Sequence, residues 1–238
     1  MTNEETLQER HGDNLYPATL TQSFGPHTLE LDVPQGVWNP TPHGVQLGNK
    51  LLDIDFSGEH VLELGTGCGI HAILLAFQGA TRLTLTEIEE PILENARHNI
   101  AKHGIDIPTD GIVCDWTNVP TEGQFDTLVT NPPFGKSGKR YRRYFIDTLI
   151  LEAHKLVKPG GRLVFIHSSM ADFPRTIRLM EECGMKVSII GETDHEFRQY
   201  YYEDPQYILE MARIPGAYQL RDGKQFERLM AFEARLPE

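Results

Sequence analysis

Two short segments carry side chains whose types and spacing could do chemistry. In the first, Val61-Leu62-Glu63-Leu64-Gly65-Thr66-Gly67-Cys68-Gly69-Ile70, an apolar stretch runs into three alternating glycines. Glycines at that spacing let a ligand lie close to the backbone, and a helix opening just behind them offers free N–H groups. The dinucleotide fingerprint needs a glycine at position 70, where Ile70 stands, so a nicotinamide cofactor is disfavoured. An acid, Glu63, precedes the turn instead. A pyrophosphate does not call for an acid there, whereas a cationic ligand does. Glu87 closes the next apolar run, about 20 residues past the first glycine, from where a carboxylate can accept both hydroxyls of a ribose. Asp115-Trp116 closes the run after that, where an acid can accept an adenine amino proton. Glu63, Gly65, Thr66, Gly67, Gly69, Glu87, Asp115 and Trp116 thus describe a holder for an adenosine that carries positive charge and no phosphate.

The second segment is Asn131-Pro132-Pro133-Phe134. Two consecutive prolines remove two N–H donors and stiffen the chain, leaving carbonyls to face outward. The Asn131 side-chain oxygen and the Pro132 carbonyl can each accept a proton from an NH₂ group, and Phe134 can lie against a planar substrate. The nitrogen of an amide or an aromatic amine is a weak nucleophile because its lone pair is delocalised. Two acceptors that orient it, and favour the positive charge growing on it, serve the transition state. Once methylated, such a nitrogen is acidic, so no strong general base is required.

S-adenosylmethionine fits the first holder. With these motifs in order over residues 35–214, the chain resembles the class I SAM-dependent methyltransferases. Asn131–Phe134 is similar to the motif of N-methyltransferases that modify glutamine in release factors (the HemK type), adenine N6 or guanine N2. The resemblance implies a Rossmann-like fold, SAM as cofactor and S-adenosylhomocysteine as product. It also implies that Asn131 and Pro132 hold the target nitrogen and that Phe134 stacks on the acceptor. The lead-in Gly36-Val37-Trp38-Asn39-Pro40 resembles the family segment that covers the cofactor before the first strand. Glutamine methyltransferases commonly continue with an acid, Asp and Ser or Thr; this chain continues Thr41-Pro42-His43-Gly44, and it has Phe134 where they usually have Tyr.

The acceptor side has two further candidate elements. Lys136, Lys139, Arg140, Arg142 and Arg143 place five cations directly after the acceptor motif, a basic lip that could grip a phosphate or carboxylate. In His195-Glu196-Phe197-Arg198-Gln199-Tyr200-Tyr201-Tyr202, Tyr200 and Tyr201 could line the acceptor pocket, as could Trp38. Cys68 and His71 read as packing residues, and no Cys/His cluster suggests a metal.

These residues need a scaffold, and the chain alternates strand and helix around them. Strands are expected at His60–Leu64, Arg82–Thr86, Gly111–Cys114, Thr127–Thr130, Arg162–His167 and Lys186–Ile190, with Pro159-Gly160-Gly161 as the turn before the fifth. Helices are expected at His43–Leu52, Gly69–Gln78, Pro91–His103, Lys139–Lys158 and Ala171–Cys183. Tyr207–Ile214 reads as an antiparallel strand, followed by a hairpin turn at Arg221–Lys224 and a strand over Phe226–Arg235. The fold class is therefore α/β: a doubly wound, mostly parallel seven-stranded sheet with an antiparallel C-terminal strand and an extra C-terminal hairpin. Residues 1–42 read as an arm and lead-in, aperiodic to about residue 24, and 43–238 as one catalytic domain.

Composition narrows the partners. The 238 residues hold 22 Lys+Arg against 34 Asp+Glu, a net charge of −12. That balance disfavours DNA and an anionic membrane surface, and it ranks structured RNA behind a protein glutamine or a small planar metabolite as acceptor. RNA base methylation at adenine N6 or guanine N2 is the second reading, and a catalytically silent SAM-binding protein the third. Three scattered cysteines and an acidic, polar N-terminus point to the cytoplasm, with no secretory or transit signal. Oligomeric state is not legible.

Overall fold

In the computed structural model, which describes residues 19–121, 124–134 and 143–238, the chain opens with a hairpin of β1 (Thr19–Phe24) and β2 (His27–Asp32). Helix α1 (Pro42–Leu51) follows, then β3 (His60–Leu64), α2 (Ile70–Phe77), β4 (Arg82–Glu87), α3 (Glu90–Lys102), β5 (Thr109–Val113) and β6 (Phe125–Thr130). The second half runs α4 (Tyr144–Leu156), β7 (Val157–Ser168), α5 (Phe173–Glu182), β8 (Lys186–Glu196), α6 (Gln199–Tyr202), α7 (Pro205–Met211), β9 (Gln219–Arg221) and β10 (Lys224–Arg235).

Seven strands lie in the order β5-β4-β3-β6-β7-β10-β8, and short β9 pairs with β10. Pairs from β5 through to β7 are parallel, whereas β10 is antiparallel to both of its neighbours. Both faces are covered, so β3 is buried on either side: Val61 packs with the α1–α3 side, Leu62 and Leu64 with the α4–α5 side. Strand order reverses between β3 and β6, the place where open α/β sheets bind ligands beyond their carboxyl ends. The glycine turn follows β3 and Asn131 follows β6. Leu64 pairs with Thr130, so the two motifs leave adjacent strand ends about 5 Å apart.

Several expected elements are corrected. Tyr207–Ile214 is not a strand; helix α7 occupies it, because Asp204 caps the start by accepting from the Tyr207 N–H at 3.1 Å and Pro205 opens the first turn. The antiparallel strand of the sheet is β10 itself, and the hairpin turn at Asp222-Gly223 joins it to β9. Residues 19–24 are not part of an aperiodic arm: Gly25, at φ +50°, turns them into a hairpin that buries Phe24, Leu29 and Leu31. Pro159-Gly160-Gly161 lies inside β7, as an irregular stretch where the β6–β7 register shifts. β8 runs on to Glu196, so His195 and Glu196 are strand rather than loop.

Candidate active site

The glycine turn is built by backbone that only glycine adopts readily. Gly65, Gly67 and Gly69 have φ of +67°, +57° and +83°. A Cβ on Gly65 or Gly67 would meet nothing within 4 Å, so the turn presents an open surface on which a ligand can lie. A Cβ on Gly69 would stand 3.1 Å from the Ala96 carbonyl oxygen, which fixes helix α3 against the turn. This open cradle, rimmed by acids, suits a cationic adenosine cofactor.

Glu63 lies beneath the turn, 1% exposed. Thr66 Oγ1 donates to its Oε2 at 2.7 Å, and His71 Nδ1 stands 3.1 Å from its Oε1. The other ring nitrogen, His71 Nε2, donates to the Gly44 carbonyl at 2.9 Å, since a carbonyl can only accept. Glu63 thus bears on a ligand through the turn it holds. Glu87, half-buried at the end of β4, accepts from Gly67 N at 2.8 Å and Ile88 N at 3.0 Å. Asp115 is exposed just past the end of β5. Trp116 beside it is buried at φ +50°, its indole N–H donating to Thr148 Oγ1 at 3.0 Å and its ring edge-on to Phe145. Its side chain is therefore part of the packing under the rim. Burial pushes the Cys68 thiol up to about 12, which makes it an inert packing group.

Asn131 is half-buried, and its Nδ2 lies 3.7 Å from where a Cβ on Gly44 would stand. Helix α1 therefore approaches the acceptor motif through a residue without a side chain. That helix is aimed by Thr41, whose Oγ1 accepts from Gly44 N at 3.2 Å, and by Pro42 in its first turn. Pro132 is buried and Pro133 exposed. Phe134 is half-buried between the α4–α5 core and a smaller aromatic lobe of Met170, Phe197, Tyr201, Tyr207 and Met211.

The remaining candidates separate. Lys136, Lys139, Arg140 and Arg142 lie outside the described residues, as does the side chain of Tyr200. Arg143 is no free cation: its guanidinium donates to Asp147 at 2.9 Å, to Thr176 Oγ1 at 3.0 Å and to the Asp172 carbonyl at 3.3 Å, tying α4 to α5. Trp38 is 44% exposed. Tyr201 is buried in the aromatic lobe, stacked on Tyr207 with centroids 5.2 Å apart.

Two residues beside the site were not singled out from sequence. Glu227 on β10 is 1% exposed, and burial pushes its carboxyl up to about 7. His43 in the first turn of α1 is pushed down to about 3 by its own desolvation, with Arg198 adding to it. Their Nε2 and Oε2 are 3.7 Å apart. Strand periodicity was the available signal for Glu227: it shares a face with Leu229 and Ala231, which are buried on the α1 side. Among the described residues, no group of three or more His, Cys, Asp or Glu is placed to hold a metal ion, and no helix is long and apolar enough to cross a membrane.

Comparison with known proteins adds identity to this geometry. Residues 43–197 match the family model described as methyltransferase small domain. The chain is 29% identical over 160 residues to ribosomal RNA small subunit methyltransferase C of Serratia proteamaculans, covering 64% of this chain and 44% of that protein. It is 26% identical over 186 residues to the "Putative protein N5-glutamine methyltransferase" of Methanocaldococcus jannaschii, covering 72% of this chain and 92% of that protein. A solved 16S rRNA N2 methyltransferase of T. thermophilus, in complex with AdoMet and guanosine, superposes with a TM-score of 0.63 at 16% identity, over 93% of this chain and 51% of that one. The chain thus spans less than half of the Serratia relative's length.

Proposed function

The chain belongs to the methyltransferase small domain family, and we propose that it is a SAM-dependent N-methyltransferase acting on an amide or exocyclic amine nitrogen. The acceptor is a protein glutamine or a small planar metabolite. The observation that carries this reading is the placement of Asn131-Pro132-Pro133-Phe134 on the strand end next to the glycine turn. When bound, S-adenosylmethionine supplies an electrophilic methyl group on a sulfonium and leaves as S-adenosylhomocysteine. Gly65, Thr66, Gly67 and Gly69 form its cradle, Glu87 takes the ribose hydroxyls, and Asp115 takes the adenine amine, with Trp116 packed behind it. Glu63 keeps the turn in shape through Thr66 and His71.

On the acceptor side, the Asn131 side-chain oxygen and the Pro132 carbonyl accept the two N–H bonds of the target nitrogen. This turns its lone pair toward the methyl and favours the charge that develops there. Phe134 stacks on the acceptor plane. The proton leaves after transfer, from a nitrogen made acidic by methylation.

A second reading, methylation of an RNA base at adenine N6 or guanine N2, is favoured by the likeness to ribosomal RNA methyltransferase C. The net charge of −12 weighs against it, because grip on a phosphate backbone is largely cationic. Labelled SAM supplied with the protein to lysate from cells lacking it separates the two. Protease-sensitive or dialysable label is expected. RNase-sensitive label establishes the RNA reading, and SAM binding without label establishes a silent binding protein.

A further inference from the structure

The sheet's alternation places Asn131, Ser168 and Glu227 on one face of its carboxyl edge. Asn131 shares parity with Val129, Ser168 with Ile166, and Glu227 with Leu229, and those three apolar residues all pack on the α1 side. Helix α1 lies over this face. Its Gly44 abuts Asn131, and its His43 reaches the Glu227 carboxylate. The edge therefore runs from the methyl-transfer motif, past His43, to a buried acid.

That acid is only half satisfied. Tyr201 donates to its Oε1 at 3.4 Å and the Ser168 hydroxyl also bears on the carboxyl, while Oε2 is buried with no hydrogen-bond partner within range. His43 Nε2, at 3.7 Å from Oε2, is beyond hydrogen-bond range. A buried carboxylate oxygen left without a donor is costly, and it persists where something outside the fold completes it. Beside it, Met170, Tyr201 and Tyr207 pack as one apolar lobe against Phe134, the residue assigned above to stack on the acceptor. A cleft of about 430 Å³ lies between the start of α1 and the β8–β10 pair, lined by Pro40, Pro42, Gln46, Thr193, His195 and Leu229. It touches the neighbours of both His43 and Glu227, and His195 is Glu227's cross-strand partner.

We propose that Glu227 is the residue that selects the acceptor: its free Oε2 accepts a hydrogen bond from a second N–H group of the planar acceptor, on the sheet face it shares with Asn131. The proposal rests on the N-methylation reading above. It divides the labour within the site. Asn131 and Pro132 hold the nitrogen that is methylated, while Glu227 tests whether the rest of the molecule carries a donor in the right place. An acceptor lacking that donor would bury the carboxylate without a partner, the arrangement by which sites reject close analogues.

The test uses the full chain and two readouts. In the first, the lysate fraction that the wild-type protein labels is titrated against wild type, Glu227→Gln and Glu227→Asp, with SAM affinity measured by calorimetry as a check on folding. An apparent KM raised about 10- to 100-fold in Glu227→Gln, at unchanged SAM affinity and with partial recovery in Glu227→Asp, is expected from losing a hydrogen bond to a charged group. In the second, the ¹³C carboxyl resonance of Glu227 is followed in the protein loaded with S-adenosylhomocysteine while guanosine or acetamide is added, each an N–H donor. Saturable movement with one of them is expected. A resonance indifferent to both, or a Glu227→Gln protein with wild-type apparent KM, overturns the proposal. A wild-type protein that labels nothing overturns the N-methylation reading, and the carboxyl resonance then decides the subsite by itself.

Discussion

At the scale of single residues, the site divides between side chains that face a ligand and side chains that hold the facing ones still. In the function proposed above, Asn131 belongs to the first kind. Its replacement by alanine removes one positioned acceptor, so turnover is expected to fall roughly 10²- to 10³-fold. SAM affinity is expected to change little, because the cradle is on the neighbouring strand end. A stopped radiometric assay beside a calorimetric titration reads both, and near-wild-type turnover would remove Asn131 from its assigned role. Glu63 belongs to the second kind, with both oxygens taken up by Thr66 and His71. The difference explains what was legible beforehand. Glycine spacing, strand-end acids and the double proline are local signals, and they lie beside the carboxyl ends of β3, β4, β5 and β6. Whether an acid points up to a ligand or down into a turn depends on neighbours such as His71, eight residues further on. Glu227 was hidden because its partners come from α1 and from the segment after β8, far away in sequence.

At the scale of elements, the amino-terminal hairpin is a clamp rather than an arm. Asp32 at its end accepts from Lys102 at 3.0 Å and meets His98 at 2.9 Å, and these partners hold its carboxyl well below the usual range. Buried Asn99 ties the hairpin to the cofactor turn. Its Oδ1 accepts from Asp32 N at 2.9 Å, and its Nδ2 donates to the carbonyls of Asp32 and Cys68, each at 2.9 Å. Asn99→Ala strands those groups inside the protein, and a loss of about 2–3 kcal/mol is expected in urea unfolding. Because Cys68 is in the glycine turn, SAM affinity is expected to weaken as well; unchanged affinity would show the clamp to be purely structural. The first strand of the hairpin escaped sequence reading because it is short and polar on its exposed face. The Tyr207–Ile214 segment failed for another reason. Its aromatic and branched residues suit a strand, and the Asp204-Pro205 start signal outweighed them.

At the scale of the whole molecule, three buried titrating groups shape the response to pH. His43 and His167 are both pushed down to about 3 from 6.5 by desolvation, so each stays neutral in the fold while the unfolded chain protonates. Each therefore costs stability as pH falls from 6.5 toward 3, by about 1.4 kcal/mol per unit. Glu227, raised to about 7 from 4.5, works in the opposite sense: the fold binds its proton first, so stability falls as pH rises from 4.5 to 7. Between 4.5 and 6.5, His43 and Glu227 offset each other, and His167 sets the slope together with half-buried His60, which desolvation also lowers. Its ring stacks on Phe165 and Phe232, and its Nε2 is buried without a partner. His167→Phe is thus expected to flatten the acid limb of urea-unfolding stability measured from pH 6.5 to 4.5, and an unchanged slope would refute the assignment. The last consequence belongs to His71. Its two ring nitrogens bolt the carbonyl of Gly44, on the helix that abuts Asn131, to Glu63 beneath the glycine turn. Through this ring the glycine turn and the helix are joined. In the proposed function, filling the cradle is expected to tighten the acceptor seat, and by linkage the acceptor tightens the cradle by the same factor. Calorimetry of S-adenosylhomocysteine with and without acceptor reads that factor, and equal affinities would show the two halves to be independent.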